Sequence, residues 1–379
     1  MSSRPIYLDH NATTPVLPEV VDAMLPYLRE HFGNPSSGHA FGRQAREAVD
    51  KARGDVAALL ECDASEVVFT SGATEASNLA IRGVADACND RRHLLTSVIE
   101  HPGSEEPCAR LEQLGWRVTR VGVDGGGRVL IDDVRAAIDQ DTALVTMMFA
   151  NGETGVVQPI AEIAEIAHAM GALVHSDAAQ AAGKIRVSVR ELGVDLLSLV
   201  GHKLYAAKGV GALFVRKGTP LLPFARGGGH ERGLRPGTEN VAAIAGFGVA
   251  CRRAKDGLEA EATRVSKLRD RLWERLVAAV PGIQLNGLAT PRLPNTLNVR
   301  FPGLAGSKLL AATPEIAAST GSACHDGQEQ PSAVILAMGV PPAEAVGSVR
   351  LTLGRQTTLD EVDTAAESLA RAWRASRRP

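Results

Sequence analysis

The chain has few cysteines, no excess of either charge and no long apolar run, and each absence removes a class of function. Five cysteines (Cys62, Cys88, Cys108, Cys251, Cys324) are scattered through 379 residues with no C-x-x-C pair among them. An odd, dispersed set supports neither a disulfide framework nor a zinc ribbon, and the ten histidines form no ligand cluster, so no metal is expected. Forty-one Lys and Arg stand against forty-three Asp and Glu, a formal charge of −2 with no block of one sign. Direct binding of nucleic acid by phosphate neutralisation calls for a basic excess or stripe. The mostly apolar stretch Val241–Cys251 falls short of the roughly 20 residues of a membrane span. The first residues, Met-Ser-Ser-Arg-Pro-Ile-Tyr, lack the apolar run of a secretory signal. The expectation is a cytoplasmic protein without a membrane or direct nucleic-acid partner. G-x-G-x-x-G and G-x-x-x-x-G-K-[ST] patterns are also absent, which removes the main support for dinucleotide and P-loop readings.

What is present is an alternation. From about residue 43 to 215, helical periodicity alternates with short apolar runs, as in Arg43–Leu60, with Ala45, Ala48, Val49, Ala52 and Val56 on one face, followed by the strand-like Glu66–Thr70. Such alternation implies an α/β fold with a mostly parallel sheet covered on both faces. After residue 255 a long charged helix and shorter strands read as a smaller α+β unit, closed by a helix with Thr358 and Glu361 in capping-box spacing. The expected division is a large domain over 15–255 and a small one formed by 1–14 with 256–379. Parallel sheets bind ligands at the carboxyl ends of their strands, so the residues just after each strand come first.

Three strand ends carry chemistry. Thr70-Ser71-Gly72-Ala73-Thr74-Glu75 is either an ordinary N-cap by Ser71 or Thr70, or an anion cup of free backbone N–H groups at a helix start. Asp177, after Leu173-Val174-His175-Ser176, is either a helix cap or a functional carboxylate that needs a cation or donors. Lys203, after Leu196–Val200, is either snorkelling from the core or a desolvated amine suited to Schiff-base chemistry. Together the three ends match the phosphate, ring nitrogen and aldehyde of pyridoxal 5′-phosphate. Cys324 adds a thiol: it lies in Ser-Thr-Gly-Ser-Ala-Cys-His-Asp-Gly-Gln, a small, polar run with nothing to bury it. The other four cysteines read as small buried hydrophobes in helix-like stretches.

Six motifs in order carry a resemblance over nearly the whole chain, from Tyr7-Leu-Asp-His-Asn-Ala-Thr-Thr-Pro15 to Ser348-Val-Arg-Leu-Thr-Leu-Gly-Arg355. Between them stand Phe32-Gly-Asn-Pro-Ser36, the 70–75 cup, Glu100-His-Pro102, Gly201-His-Lys-Leu-Tyr205, the Gly-rich segment 227–240 and Gly321-Ser-Ala-Cys324. The chain resembles cysteine desulfurases of the NifS/IscS class, class-V aminotransferase relatives on the fold type I (aspartate-aminotransferase-like) architecture of pyridoxal-phosphate enzymes.

The resemblance implies roles. Lys203 would carry the cofactor and shuttle protons, His101 stack on its ring, Asp177 pair with the ring nitrogen and Gln180 reach the phenolic oxygen. Ala73, Thr74 and His202 would hold the phosphate, joined by Thr238 from a neighbouring subunit of a homodimer. Asn34 and Arg350 would bind the carboxylate of L-cysteine, and Cys324 would take its sulfur as a persulfide for an acceptor protein, leaving L-alanine. Two departures stand out: Gly152 replaces a usual asparagine and Val200 a usual phosphate-binding serine, so each position lacks a side-chain donor. A selenocysteine lyase, an aminotransferase-like enzyme and a degenerate scaffold paralogue remain alternatives. Cys324 argues against a plain aminotransferase, which needs no thiol.

Overall fold

The structure, a computed structural model, describes residues 4–287, 291–320 and 330–376. The chain opens with β1 (Ile6–Tyr7), α1 (Pro18–Arg29) and α2 (Ala40–Leu60), followed by β2 (Val67–Thr70), α3 (Ala73–Ala87) and β3 (His93–Ser97). Next come α4 (Pro102–Gln113), β4 (Arg117–Val121), α5 (Ile131–Ala137), β5 (Thr142–Met148), α6 (Ile160–Ala169) and β6 (Leu173–Asp177). α7 (Val189–Leu192), β7 (Leu196–Val200), β8 (Gly211–Val215), α8 (Val241–Asp256) and α9 (Leu258–Ala279) lead into β9 (Gln284–Leu285) and β10 (Thr296–Arg300). α10 (Gly306–Ala311), β11 (Ile316–Ala317), α11 (Ala333–Ala337), α12 (Pro342–Ala345), β12 (Ser348–Thr352) and α13 (Leu359–Ala375) complete the chain.

Strands β2 to β8 form one seven-stranded sheet in the order β2-β8-β7-β6-β5-β3-β4. Only β8 runs against the others: its pairings with β2 and β7 are antiparallel and the remaining four are parallel. All seven residues of β5 and all five of β7 are buried, as expected where helices cover both faces. The pleat sends alternate residues to opposite faces. Val67, Phe69, Val145, Leu197 and Leu199 join one apolar core, while Val68, Leu144 and Leu196 join another.

A second body is built on the antiparallel sheet β12-β10-β9. Leu297, Val299, Val349 and Leu351 of that sheet pack with Val265, Leu272 and Leu276 of α9 and Val362, Leu369 and Trp373 of α13. The capping box at Thr358 and Glu361 forms at the start of α13. The N-terminal segment belongs to this body, since β1 pairs with β11 and Asp9 bridges to Thr352. Among the described residues no helix is long and apolar enough to cross a membrane.

One polar chain threads the large sheet. His175 Nδ1 meets Thr146 Oγ1 at 2.7 Å, His175 Nε2 meets Ser198 Oγ at 2.8 Å, and Ser77 Oγ donates to Ser198 Oγ at 3.1 Å. Burial pushes His175 down to about 4 from 6.5, with Asp177 pulling weakly the other way. The folded state therefore holds a neutral ring where the unfolded chain takes up a proton below about 6.5. Stability is lost as pH falls from 6.5 towards 4, at no more than about 1.4 kcal/mol per pH unit for this group. The drop in unfolding midpoint between pH 7 and pH 5 is expected to shrink in His175→Asn, as measured by thermal melts across that range.

Candidate active site

The shared direction of β2, β3, β5, β6 and β7 brings their carboxyl ends to one edge of the sheet, and a cavity of about 910 Å³ opens there. Its walls are drawn from residues 71–75, 98–102, 150–153, 177–180 and 200–203, with Arg350 of β12 reaching in from the smaller body. Ala73, Thr74, His101, Asp177, Gln180, His202, Lys203 and Arg350 all line it.

At the end of β2, neither Ser71 nor Thr70 caps α3. The N-cap residue is Gly72, and no side chain caps the helix. Thr70 Oγ1 donates instead to Gly72 O at 3.1 Å, and Ser71 N donates to Glu75 Oε2 at 2.5 Å. A helix start without a side-chain acceptor, facing a cavity, favours an anion through its backbone N–H groups and dipole. β8 passes so close that a Cβ at Gly211 would lie 2.7 Å from Gly72 Cα. His202 contacts Thr13 Oγ1 through Nδ1 at 3.2 Å, and burial, then Lys203 and Lys208, push it down to about 4. It therefore enters the cavity wall as a neutral ring.

Deeper in, Asp177 ends β6 at 8% exposure, with Oδ1 accepting from Ala179 N at 2.8 Å. Lys203 follows β7, and its amine is held below the ordinary lysine range by burial and by Arg350, against the pull of Asp177. His101 is the N-cap of α4: its Nδ1 accepts from Gly103 N at 3.0 Å. That bond assigns the ring hydrogen of the neutral form to Nε2. Burial lowers the pKa of His101, Asp177 raises it and Lys203 lowers it.

Arg350 donates through Nη2 to Asp9 Oδ1 at 2.8 Å and through Nη1 to Gly152 O at 3.2 Å, while its buried Nε has no hydrogen-bond partner among the described residues. Gly152 thus takes part through its carbonyl, which also accepts from Asn11 Nδ2 at 3.1 Å. Neighbouring Asn151 serves the turn, its Oδ1 accepting from Glu153 N at 2.9 Å and Thr154 N at 3.0 Å. Val200 stays apolar at the cup, 3.8 Å from where a Cβ on Gly72 would stand.

Other expected site residues lie elsewhere. Asn34 is exposed and absent from the cavity wall; its Oδ1 accepts from Ser36 N at 2.9 Å. Thr238 is exposed and does not line the cavity of its own chain. The Gly-rich segment before it is pinned by Glu231, which takes a bidentate pair from Arg53 and the backbone N–H of Phe69 at 2.8 Å. Cys324 lies outside the described residues. Of the four cysteines read as buried, Cys108 and Cys251 are, but Cys62 and Cys88 are only partly so. The reason is position: these two stand just past the ends of α2 and α3, where the chain leaves the core.

Four lining or adjoining groups were not singled out from sequence: Asn11, Glu100, Glu153 and Lys184. Glu100 accepts from Ser97 Oγ at 2.5 Å and from Met148 N, and burial pushes it up to about 8. Glu153 accepts from Ser332 Oγ at 2.5 Å and is pushed up to about 7, chiefly by burial. Their signal was adjacency: each sits beside a motif residue, His101 and Gly152 respectively.

An uncapped helix start, a carboxylate deep in the cavity, a depressed amine and an orphaned guanidinium nitrogen together suit pyridoxal phosphate and a carboxylate substrate. Residues 6–364 match the family model described as aminotransferase class-V. The chain belongs to the class-V aminotransferase family. Among relatives of this class-V protein, a cysteine desulfurase of Trichormus azollae is 46% identical over 364 residues, covering 96% of this chain and 91% of its own. A solved structure titled NifS-like protein superposes with a TM-score of 0.90 at 37% identity, covering 97% of this chain and 98% of that one. Another, titled SspA in complex with cysteine, gives a TM-score of 0.81 at 35% identity, over 92% and 98% of the two chains. The fold is that of the aspartate-aminotransferase-like α/β enzymes, and the resemblance within the family is to cysteine desulfurases.

Asp177 is the group that keeps the Lys203 amine from falling further below its ordinary range. In cofactor-free Asp177→Asn, Lys203 is expected to react with an amine-selective reagent at lower pH than in the wild type, as followed by mass spectrometry across a pH series.

Proposed function

We propose that the chain works as a cysteine desulfurase that binds pyridoxal phosphate in this cavity and converts L-cysteine to L-alanine, with sulfur passing to Cys324 and on to an acceptor protein. The observation that carries the reading is the convergence of Asp177, Lys203, His101 and the open start of α3 on one cavity with Arg350 at its mouth. Pyridoxal phosphate, when bound, supplies the electron sink that weakens bonds at the substrate's Cα and Cβ.

The chain's own residues do the rest. The N–H groups at Ala73 and Thr74, with His202, take the phosphate, and Thr238 of a second copy completes that grip in a homodimer. Asp177 holds a proton at the ring nitrogen, and Gln180 presents its amide to the ring oxygen. Arg350 binds the substrate carboxylate with its unpartnered Nε, joined by Asn34. Lys203, held as a ready base by its depressed pKa, moves the Cα proton, with His101 assisting through Nε2.

Cys324 then takes the sulfur: a new S–S bond forms as the substrate's Cβ–Sγ bond breaks, and protonation at Cβ leaves L-alanine. The flanks of the segment carrying Cys324 support this reach. Ser319 pairs with Arg350, and Gln330, Pro331 and Ser332 line the cavity. A thiol reductant or acceptor protein removes the sulfur from the resulting persulfide. The same reading takes the chain as a large domain over 15–255 and a small domain of 1–14 with 256–379, supported by two main apolar cores that meet at Leu293 and at Ile99, Met148 and Val334, and as a cytoplasmic protein.

Purified protein loaded with pyridoxal phosphate is expected to release alanine from L-cysteine catalytically in excess dithiol. Cys324→Ser is expected to keep the cofactor's yellow colour while alanine formation falls by roughly 10³-fold or more, the scale of losing a nucleophile. Full-rate turnover by that variant would exclude Cys324 as the sulfur acceptor.

A further inference from the structure

The amine of Lys184 donates to Gln180 Oε1 at 2.7 Å and to Asn11 Oδ1 at 2.8 Å, and none of the ion pairs among the described residues includes it. The charged groups that act on it are Lys203 and Arg350, both cationic, and burial together with these holds its pKa well below the ordinary lysine range. Part of the residue's surface is exposed, whereas the amine is enclosed by the atoms around it. An enclosed amine with no anion beside it contributes poorly to stability. Its placement is better explained by what it holds.

What it holds is one amide in one orientation. Gln180 is 7% exposed and lines the cavity; its Nε2 donates to the backbone carbonyl of Asn11 at 2.9 Å. That carbonyl only accepts, so it fixes the NH₂ end, and the Lys184 amine fixes the carbonyl end. One N–H of Nε2 is left over. The turn between the two residues is built to return the amine to the amide: Gly183 takes φ +71, and a Cβ there would lie 2.3 Å from Leu204 Cδ2. On the other side stands Gly152, where an ideal Cβ would lie 3.0 Å from Gln180 Nε2. Position 152 therefore leaves that nitrogen room and brings no donor of its own.

We propose that Lys184 is a positioning residue, which turns the Gln180 amide so that its spare N–H faces the cavity and meets the ring oxygen of the cofactor. The inference rests on the reading of this cavity as a pyridoxal-phosphate site. Gly152 supplies no substitute donor, and without Lys184 only the Asn11 carbonyl is left to hold the amide, so losing Lys184 is expected to cost much of what losing Gln180 costs.

The test is a double-mutant cycle read by binding and by spectrum. Lys184→Met is expected to bind pyridoxal phosphate about tenfold more weakly, the cost of one hydrogen bond. It is also expected to move the absorption band of the bound cofactor in the same direction as Gln180→Ala, while the cofactor-free protein unfolds no earlier than wild type. The double variant should be no weaker than Gln180→Ala alone, because one residue acts through the other. Additive losses, or an unchanged affinity and band in Lys184→Met, overturn the proposal. Gln180→Glu provides a second route that leaves Lys184 in place: it replaces the spare N–H with an acceptor, so it should match Gln180→Ala despite a new ion pair with Lys184. Wild-type affinity in Gln180→Glu also overturns the proposal. Failure of the wild-type protein to bind the cofactor at all would instead remove the functional reading beneath it.

Discussion

The structure is organised around a surplus of basic groups at the edge of its main sheet. Lys203, Lys184 and Arg350 converge on one region: Arg350 lowers the pKa of both lysines, and Lys203 lowers that of Lys184. Against them stand Asp177 at the sheet edge and Asp9, which pairs with Arg350. Glu100 adds little negative charge near neutral pH and Glu153 a reduced one, because burial pushes them up to about 8 and about 7. Basic groups gathered with so few ionised partners hold their protons weakly in the free protein. A ligand bearing a phosphate and a carboxylate supplies the missing negative charge, so the imbalance is itself a description of what the cavity takes.

Much of the site was legible because it follows from strand direction. Once the alternation of helix and strand implied a parallel sheet, the residues after each strand were the ones to read, and Asp177 and Lys203 stood there. The reversed strand β8 was not legible as such. Gly211-Ala-Leu-Phe-Val215 has the same apolar texture as its neighbours, and its antiparallel pairing with β7 leaves no mark in its composition. The open cup depends on it, since only a glycine at 211 lets β8 pass that close to Gly72.

Lys184 was hidden for a different reason. Sequence reading pairs a lysine with a carboxylate or with solvent, and this one pairs with two amides contributed by residues 4 and 173 positions away. Gly152 read as a lost side chain, yet its carbonyl accepts from both Asn11 and Arg350. Backbone groups carry no sequence signal, so a glycine that works through its carbonyl looks like a deletion. Asn34 and Thr238 were placed by resemblance to a family, and in the single chain both are exposed, away from the cavity wall.

The N-terminal segment carries a further consequence. Besides Gly152, Gln180 and Lys184, Asn11 takes partners from the far end of the chain: its N–H donates to Thr352 Oγ1, 341 residues away, and its side chain donates to Thr296 Oγ1 and accepts from Asn295. β1 likewise waits for Ile316 and Ala317. During synthesis Ile6–Asn11 therefore leave the ribosome long before the residues that hold them in place. The large sheet has all its strands once residue 215 is made, but the floor beneath Gln180 cannot close until β12 has emerged. A chain cut short before residue 350 would keep the scaffold of the site and lack the Arg350 guanidinium that holds a substrate.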